Sequence, residues 1–160
     1  MSLIFFLLFH LLRPAPKAVP VVKFDYVDRL LQNKSDTTLV VNFWATWCVP
    51  CVHELPAFDS VSDYFSNQKV KVILVSLDFI SQYESRLKPF VVKNNIKQEV
   101  VLLNEPDYDT WINKVDPVWS GAIPTTLILN GSKNYKKVYE TEFTFHSLKE
   151  EVQKCLKTKP

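Results

Sequence analysis

Short apolar runs alternate along this chain with amphipathic segments and polar stretches. The runs are rich in Val, Ile, Leu and Phe, which is typical of strands buried on both faces. They occupy residues 39–44, 70–77, 99–103 and 125–129. A further segment, residues 135–141, follows the turn signal Asn130-Gly131 and is predicted to pair with the strand before it as a hairpin.

The segments between these strands carry the spacing of amphipathic helices. After Cys51, one predicted helix face contains Val52, Leu55, Phe58, Ser62 and Phe65. Further helices are predicted at residues 26–33, 85–95, 107–115 and 144–157. Strands that alternate with helices favour an α/β fold with a parallel core, and the late hairpin makes the predicted sheet mixed.

An apolar segment at residues 3–12 stands apart from this pattern. It is too short to cross a bilayer, which takes about 20 residues, but it suits the apolar part of a signal peptide or a membrane anchor. The alternative is a hydrophobic helix that packs on the domain. Residues 13–20 are rich in proline and are predicted to form a stiff, extended spacer. We therefore divide the chain into an N-terminal segment, residues 1–20, and one domain, residues 21–160.

Composition argues against several functional classes. Of the 160 residues, 47% are hydrophobic and 13% aromatic, which is enough to bury a core in one domain. The chain has 19 Lys and Arg against 17 acidic residues and no basic cluster, so it offers no case for nucleic-acid binding. Its only glycines are Gly121 and Gly131, which leaves no glycine-rich loop for a phosphate group.

Two cysteines, Cys48 and Cys51, lie at the predicted junction between a strand and a helix. Free amide groups and the helix dipole favour a thiolate at a helix N-terminus, and two thiols at this spacing can close a disulfide. Half of a zinc site is the alternative, but it needs two more Cys or His ligands. The remaining candidates form no second pair: Cys155, His10, His53 and His146. Cys155 falls on the apolar face of the last helix, which favours a packed core thiol over a reactive one.

The letters WCVPC at residues 47–51, preceded by VNFWAT, resemble the thioredoxin superfamily. The match is closer to the extracytoplasmic thiol-disulfide reductases of the TlpA/ResA type than to cytosolic thioredoxin. Glu54, Pro56 and the sequence Ile123-Pro124-Thr125 before an apolar strand agree with that branch. The resemblance extends from about residue 39 to the C-terminus. It implies a thioredoxin fold, with residues 81–115 as the helix-strand insertion of the branch.

The resemblance also implies catalytic roles. Cys48, nearer to the helix start, is expected to be the exposed thiolate that attacks a substrate disulfide, and Cys51 the thiol that resolves the mixed disulfide. Asn42 stands where thioredoxin has a buried Asp and cannot ionise, so Glu54 is expected to take the proton of Cys51. The alternative for Glu54 is a solvated carboxylate, which the helix dipole favours. His53 is expected to be a surface residue rather than a proton relay.

A substrate-binding surface is implied around the cysteines. Pro124 is expected to follow a cis peptide bond and to present the backbone of Ile123 to an extended substrate, with Thr125 in the same loop. Trp47 is expected to form an apolar lip beside the substrate disulfide, and Pro50 to preorganise the helix start. The sequence does not decide between core and rim for Trp44, Trp111 and Trp119.

These expectations favour a thiol-disulfide oxidoreductase that reduces protein disulfides in the periplasm or cell envelope. Cytochrome c maturation is one role that such relatives serve. We expect no metal and no cofactor beyond the Cys48–Cys51 disulfide. The expected partners are protein disulfides and a membrane thiol-disulfide transporter that donates electrons, with possible membrane attachment through the N-terminal segment. Three alternatives stay open: a disulfide oxidant or isomerase on the same fold, a metal-handling protein, and a non-catalytic interaction domain.

Overall fold

A six-stranded mixed sheet forms the centre of the computed structural model, which describes residues 18–159. Its strands are β1 Val21–Val22, β2 Thr38–Trp44, β3 Val70–Ser76, β4 Glu99–Leu103, β5 Thr125–Asn130 and β6 Tyr135–Tyr139. Their order across the sheet is β1-β4-β3-β2-β5-β6. Strands β1 to β4 pair in parallel, whereas β5 is antiparallel to β2 and β6 to β5. The predicted mixed α/β sheet is therefore confirmed, and the very short β1 is an addition to it.

Helices cover both faces of this sheet. They are α1 Phe24–Leu31, α2 Val49–Tyr64, α3 Lys88–Lys93, α4 Ile112–Val115 and α5 Phe145–Lys157. The helix predicted at residues 85–95 begins instead as a π-helical turn, Tyr83–Leu87, and continues as α3. Pro89 lies in the first turn of α3, where a missing N–H breaks no helical hydrogen bond. The helix predicted at residues 107–115 is divided into a 3-10 turn, Tyr108–Thr110, and α4.

Strand β2 lies in the middle of the sheet, and all of its residues are buried. Successive side chains point to opposite faces of a strand. Val40 and Trp44 accordingly join the apolar layer under α2 and α5, whereas Val41 and Phe43 join the opposite layer with α1 and α4. Asn42 shares the face of Val40 and Trp44, so this polar side chain is directed towards α2.

Four side chains whose location the sequence analysis did not decide lie in the core of the structure. Trp44, Trp111 and Trp119 are at most 3% exposed. Cys155, on α5, is completely buried, and its Sγ lies 3.6 Å from the Thr38 hydroxyl. Burial raises the pKa of the Cys155 thiol, which keeps it in the unreactive protonated form. The prediction of a packed core thiol is confirmed.

The domain begins earlier than the predicted boundary after Pro20. Val19 is 2% exposed, and its carbonyl accepts a 2.6 Å hydrogen bond from the Tyr83 hydroxyl. The carbonyl of Pro20 accepts a 2.8 Å bond from the Leu102 amide, next to the β1–β4 pair. Val19 and Pro20 are therefore part of the fold, because an apolar side chain and an edge carbonyl both find partners there. The spacer prediction is wrong for these two residues.

The rest of the predicted N-terminal segment, with the apolar run at residues 3–12 and His10, lies outside the described residues. Within residues 18–159, no helix has the length and the apolar character needed to cross a membrane.

Candidate active site

Cys48 and Cys51 are joined as a disulfide at the junction between β2 and α2. Cys48 is the N-cap residue of α2, Cys51 lies in its first turn, and their Cα atoms are 5.3 Å apart. Cys51 is fully buried, whereas 7% of the surface of Cys48 is exposed. Cys48 is thus the more accessible of the pair. The expectation of an exposed residue is nevertheless wrong, because the carbonyl of Ile123 packs 3.8 Å from its Sγ.

At the start of α2, the backbone amide of Cys51 points towards the sulfur of Cys48. The N–H of Cys51 donates a 3.4 Å hydrogen bond to Cys48 Sγ. A reduced Cys48 thiolate at this position would accept the same bond and would face the positive end of the helix dipole. Pro50, exposed in the first turn, has no N–H that would otherwise need a partner. The geometry therefore favours Cys48 as the nucleophile.

The loop before β5 lies against the disulfide. The Ile123–Pro124 peptide bond is cis, as expected, and Pro124 is buried. Thr125 is completely buried as well, and its hydroxyl donates a 2.7 Å hydrogen bond to the Ala122 carbonyl. The structure thus contradicts a direct substrate contact by the Thr125 side chain. That side chain shapes the loop from within. Ile123, directly before the cis bond, is partly exposed.

Glu54 lies one helical turn after Cys51 and is 2% exposed. Its carboxylate accepts a 2.8 Å bond from Asn42 Nδ2 at one oxygen and a 2.8 Å bond from the Phe143 amide at the other. Burial raises the pKa of Glu54 to about 7 and outweighs these two bonds, which lower it. Near neutral pH, Glu54 can therefore accept or donate a proton. The alternative of a solvated carboxylate is contradicted.

Asn42 fixes the orientation of Glu54 from the centre of the sheet. Besides its bond to Glu54, Asn42 Nδ2 donates to the Thr126 hydroxyl at 3.1 Å. A neutral amide at this position supplies a donor without adding a second ionisable group beside Glu54.

His53, in contrast, is directed outward: its side chain is 81% exposed and contacts Glu142 through Nδ1. Its expected surface position is confirmed.

An apolar groove with a volume of about 410 Å³ opens beside the disulfide. None of its lining residues carries a charge; they are Trp47, Leu77, Phe79, Tyr108, Ile112, Ser120, Gly121 and Ile123. Trp47, Phe79 and Tyr108 are 46%, 58% and 40% exposed. The expected lip at Trp47 is therefore one wall of a larger apolar surface.

Phe79 and Tyr108 are functional candidates that the sequence analysis missed. They follow β3 and β4 in the chain and line the groove from the segments after those strands. Residues beyond the carboxyl ends of parallel strands often form binding sites in α/β sheets, and that rule was the available signal.

Within residues 18–159, no group of three or more His, Cys, Asp or Glu side chains is placed to bind a metal ion.

The fold and the site together define a class of protein. A thioredoxin-like domain with a disulfide at the first turn of α2, a facing cis-proline loop and a buried acid is a thiol-disulfide oxidoreductase, because it can exchange two electrons between its cysteine pair and another disulfide. The model of the AhpC/TSA family matches residues 26–138. The chain belongs to that family.

Two similar proteins have names that agree with the branch expected from the sequence. The chain is 29% identical over 139 residues to sporulation thiol-disulfide oxidoreductase A of Bacillus subtilis, covering 86% of this chain and 80% of the relative. It is 26% identical over 110 residues to the thiol-disulfide oxidoreductase ResA of Halalkalibacterium halodurans, covering 69% of this chain and 57% of that protein. The predicted resemblance to the ResA branch is confirmed.

Solved structures support the fold. The crystal structure of StoA from Bacillus subtilis superposes with a TM-score of 0.59 at 27% identity, covering 76% of this chain and 86% of that one. A thioredoxin-family thiol:disulfide interchange protein from Chlorobium tepidum superposes with a TM-score of 0.62 at 21% identity, covering 76% of this chain and 81% of that one. The expected thioredoxin fold is confirmed.

Proposed function

We propose that this oxidoreductase works as a reductant of protein disulfides outside the cytoplasm. The observation that carries the proposal is the buried Glu54, one helical turn from Cys51, with its pKa raised to about 7. Side chains three residues apart on a helix are neighbours. A carboxylate beside the cysteine pair disfavours a second negative charge on the reduced thiols, and this stabilises the disulfide relative to the dithiol. Such a dithiol gives up its electrons readily.

The reaction begins with the reduced protein. The Cys48 thiolate attacks one sulfur of the substrate disulfide; a bond forms between the two sulfurs, and the substrate S–S bond breaks. The released substrate thiolate takes a proton from solvent. Cys51 then transfers its proton to Glu54 and attacks Cys48 Sγ, so that the mixed disulfide breaks and the second substrate sulfur leaves as a thiolate. This thiolate takes up the proton that Glu54 holds, which returns Glu54 to its charged form. The substrate gains two electrons and two protons, and the Cys48–Cys51 disulfide of the structure is the product state.

The groove supports a polypeptide substrate in this reaction. Ile123, next to the cis bond, is partly exposed and has its carbonyl 3.8 Å from Cys48 Sγ, so an extended peptide can pair with this segment. The uncharged walls at Trp47, Phe79 and Tyr108 can then receive an apolar side chain next to the substrate cysteine. This arrangement favours unfolded or loosely structured proteins as substrates.

Location and electron supply are further parts of the proposal. The apolar run at residues 3–12 supports export or attachment to a membrane. A reductant in an oxidising compartment must be reduced again after each turnover, which requires a membrane thiol-disulfide transporter as donor. Cytochrome c maturation is one process that needs such a reductant, because haem is attached to reduced cysteines.

An equilibrium titration of the Cys48–Cys51 pair against a thiol buffer tests the direction. We expect a potential near that of thioredoxin, about −270 mV. A potential near about −120 mV would make the protein a disulfide oxidant instead. The second candidate has a specific observation in its favour: the amide of Cys51 donates to Cys48 Sγ, which favours a thiolate and therefore raises the potential.

A trapping experiment tests the assigned roles of the cysteines. Reduced Cys51→Ser is expected to accumulate a mixed disulfide between Cys48 and a peptide substrate, which mass spectrometry detects. Reduced Cys48→Ser is the matched control and should form no such adduct. Adduct formation through Cys51 in the Cys48→Ser variant would reverse the assignment.

A further inference from the structure

A second carboxylate, Asp78, is buried near the disulfide, and the proposed reaction does not use it. Asp78 follows β3 and is 4% exposed. Its oxygens accept hydrogen bonds from the Thr46 amide at 3.0 and 3.3 Å, from the Thr46 hydroxyl at 2.5 Å and from the Ser76 hydroxyl at 2.8 Å. A buried charge is costly unless it is hydrogen-bonded in this way. Its presence therefore needs an explanation beyond filling space.

The position of these bonds along the chain supplies one. The parallel ladder between β2 and β3 ends at the pair Trp44–Ser76, and the Leu77 amide donates once more to the Trp44 carbonyl at 2.8 Å. Beyond that bond, within the described part of the chain, no further backbone ladder joins the segment after β2 to the segment after β3. The Asp78 carboxylate is the next connection between them, because it reaches across to the backbone and the side chain of Thr46.

The two segments that Asp78 connects carry opposite parts of the site. Thr46 directly precedes Trp47 and Cys48, which are one wall of the groove and the nucleophile. Asp78 itself directly precedes Phe79, another wall of the groove. The Asp78–Thr46 bonds therefore connect the segment that precedes Trp47 with the segment that contains Phe79.

A third side chain contacts the same segment from outside. The exposed Arg86, in the π-helical turn before α3, donates a long 3.4 Å bond to the Thr46 carbonyl. Thr46 is thus bonded through its amide, its hydroxyl and its carbonyl, although it lies outside any helix or strand. A segment that needs only to connect a strand with a helix does not require such bonding.

We propose that Asp78 is a positioning residue for peptide substrates: it fixes the Thr46–Cys48 segment relative to Phe79, so that the nucleophile and the apolar groove engage one extended chain together. This inference rests on the proposed reductase function. It assigns to Asp78 no contact with substrate and no proton transfer. A small disulfide that reacts with Cys48 without entering the groove should depend on Asp78 much less than a peptide does.

The test uses the reduced full-length chain and two substrates. One is a peptide with an internal disulfide and a Phe next to one cysteine; the other is bis(hydroxyethyl) disulfide. For Asp78→Asn, we expect the ratio of kcat/KM for the peptide to that for the small disulfide to fall at least about tenfold, since small misplacements of reacting groups have large effects. The Asn amide replaces one acceptor oxygen by a donor, which cannot accept from Thr46.

Variants of Thr46 make the test independent of the folding of Asp78→Asn. Thr46→Val removes the donated hydroxyl bond and should lower the same ratio, whereas Thr46→Ser keeps the hydroxyl and should restore it. In the double variant, the effects of Thr46→Val and Asp78→Asn should not add, because both remove one connection. Asp59→Asn is the matched control: Asp59 also accepts a side-chain bond, at 2.9 Å from Gln98, but it lies outside the groove.

The possible failures are distinguishable. A wild-type protein that reduces neither substrate overturns the proposed function. A wild-type protein that reduces both, with an unchanged ratio in Asp78→Asn and Thr46→Val, overturns the role of Asp78 alone. An equal fall on both substrates that follows the loss of folded protein in a thermal melt would show that Asp78 serves stability only.

Discussion

Two buried carboxylates, one on the helix that carries Cys51 and one bonded to the segment before Cys48, differ in their hydrogen bonding. Glu54, on α2, accepts one bond from a side-chain amide and one from a backbone amide. Asp78, beyond β3, accepts bonds from two hydroxyl groups and a backbone amide. Both are almost fully buried, at 2% and 4% exposure. Burial alone therefore does not distinguish them; their donors do.

The comparison separates a proposed proton carrier, Glu54, from a proposed anchor, Asp78. Burial favours the neutral form of a carboxyl group, and each donated bond favours the charged form. At Glu54 burial prevails, and the pKa rises to about 7, where a proton can be exchanged with Cys51. At Asp78 the donors belong to the two segments that the carboxylate connects, and this geometry is the basis of its proposed positioning role. Each predicted outcome below tests one side of this division.

The largest effect is expected for Glu54→Gln, which removes the proton acceptor and leaves a side chain of similar shape. Loss of a general base usually costs about 10²-fold or more in rate. The loss should fall on the second step, so kcat for the peptide should decrease while a mixed disulfide through Cys48 accumulates. Quenched-flow kinetics with mass spectrometry measure both. Glu84→Gln, which changes an exposed carboxylate paired with Lys88, is the control.

A slow Glu54→Gln variant without an accumulated adduct would place Glu54 in the first step, the attack by Cys48. Unchanged kinetics would show that Glu54 transfers no proton in the mechanism. Glu54 and Asp78 would then not differ in the way proposed here.

The second expected effect concerns stability. The folded-state pKa of Glu54, about 7, lies above the ordinary 4.5, so between these values the folded protein binds more protons than the unfolded chain. Stability should therefore fall as the pH rises through this window, by about 3 kcal/mol for a shift of this size. Urea unfolding of the oxidised protein at a series of pH values measures the decrease. Glu54→Gln should abolish it, and an unchanged slope in that variant would contradict the assigned pKa.

The sequence pointed to the proposed proton carrier, Glu54, but not to the proposed anchor, Asp78. Glu54 stands at a fixed helical spacing from Cys51, and Asn42 interrupts an apolar run, so both are visible as local patterns. The mixed sheet follows from the alternation of predicted strands and helices, whereas the cis bond before Pro124 was implied by the resemblance to the thioredoxin superfamily. These features depend on neighbours along the chain, which periodicity and motif spacing report.

Asp78 and the groove depend on contacts between distant segments. Asp78 reads in the sequence as the polar end of a strand, and only the pairing of β2 with β3 shows that it reaches Thr46. Phe79 and Tyr108 likewise come together through the parallel order of β3 and β4. The burial of Val19 could be predicted only if the position of Tyr83 in the fold were known. Such long-range contacts leave no local periodicity to find.

A smaller effect is expected for Asn42→Asp, which places a second carboxylate within hydrogen-bond distance of Glu54, at the 2.8 Å position of the present amide. Two carboxyl groups this close share one proton, so one apparent pKa of the pair rises. The pH of half-maximal kcat should move upward by about one unit or more. Asn42→Ala, which only removes the donor, should shift it less. Equal shifts in both variants would exclude coupling between the two carboxylates.

The smallest effects are expected in the groove, on the side of the site that Asp78 organises. Phe79→Ala and Tyr108→Ala each remove an exposed aromatic wall, and partial burial of such a ring by a peptide is worth about 1 kcal/mol, or roughly a fivefold change in KM. The increase should appear for a peptide with Phe beside its cysteine and be absent for the matched peptide with Gly. Val92→Ala on α3 is a suitable control, since Val92 is as exposed as Phe79, at 58%. If the groove variants raise KM while Glu54→Gln lowers kcat, substrate binding and proton transfer depend on separate sets of residues. A fall of kcat in Phe79→Ala would show that the two roles are not separable.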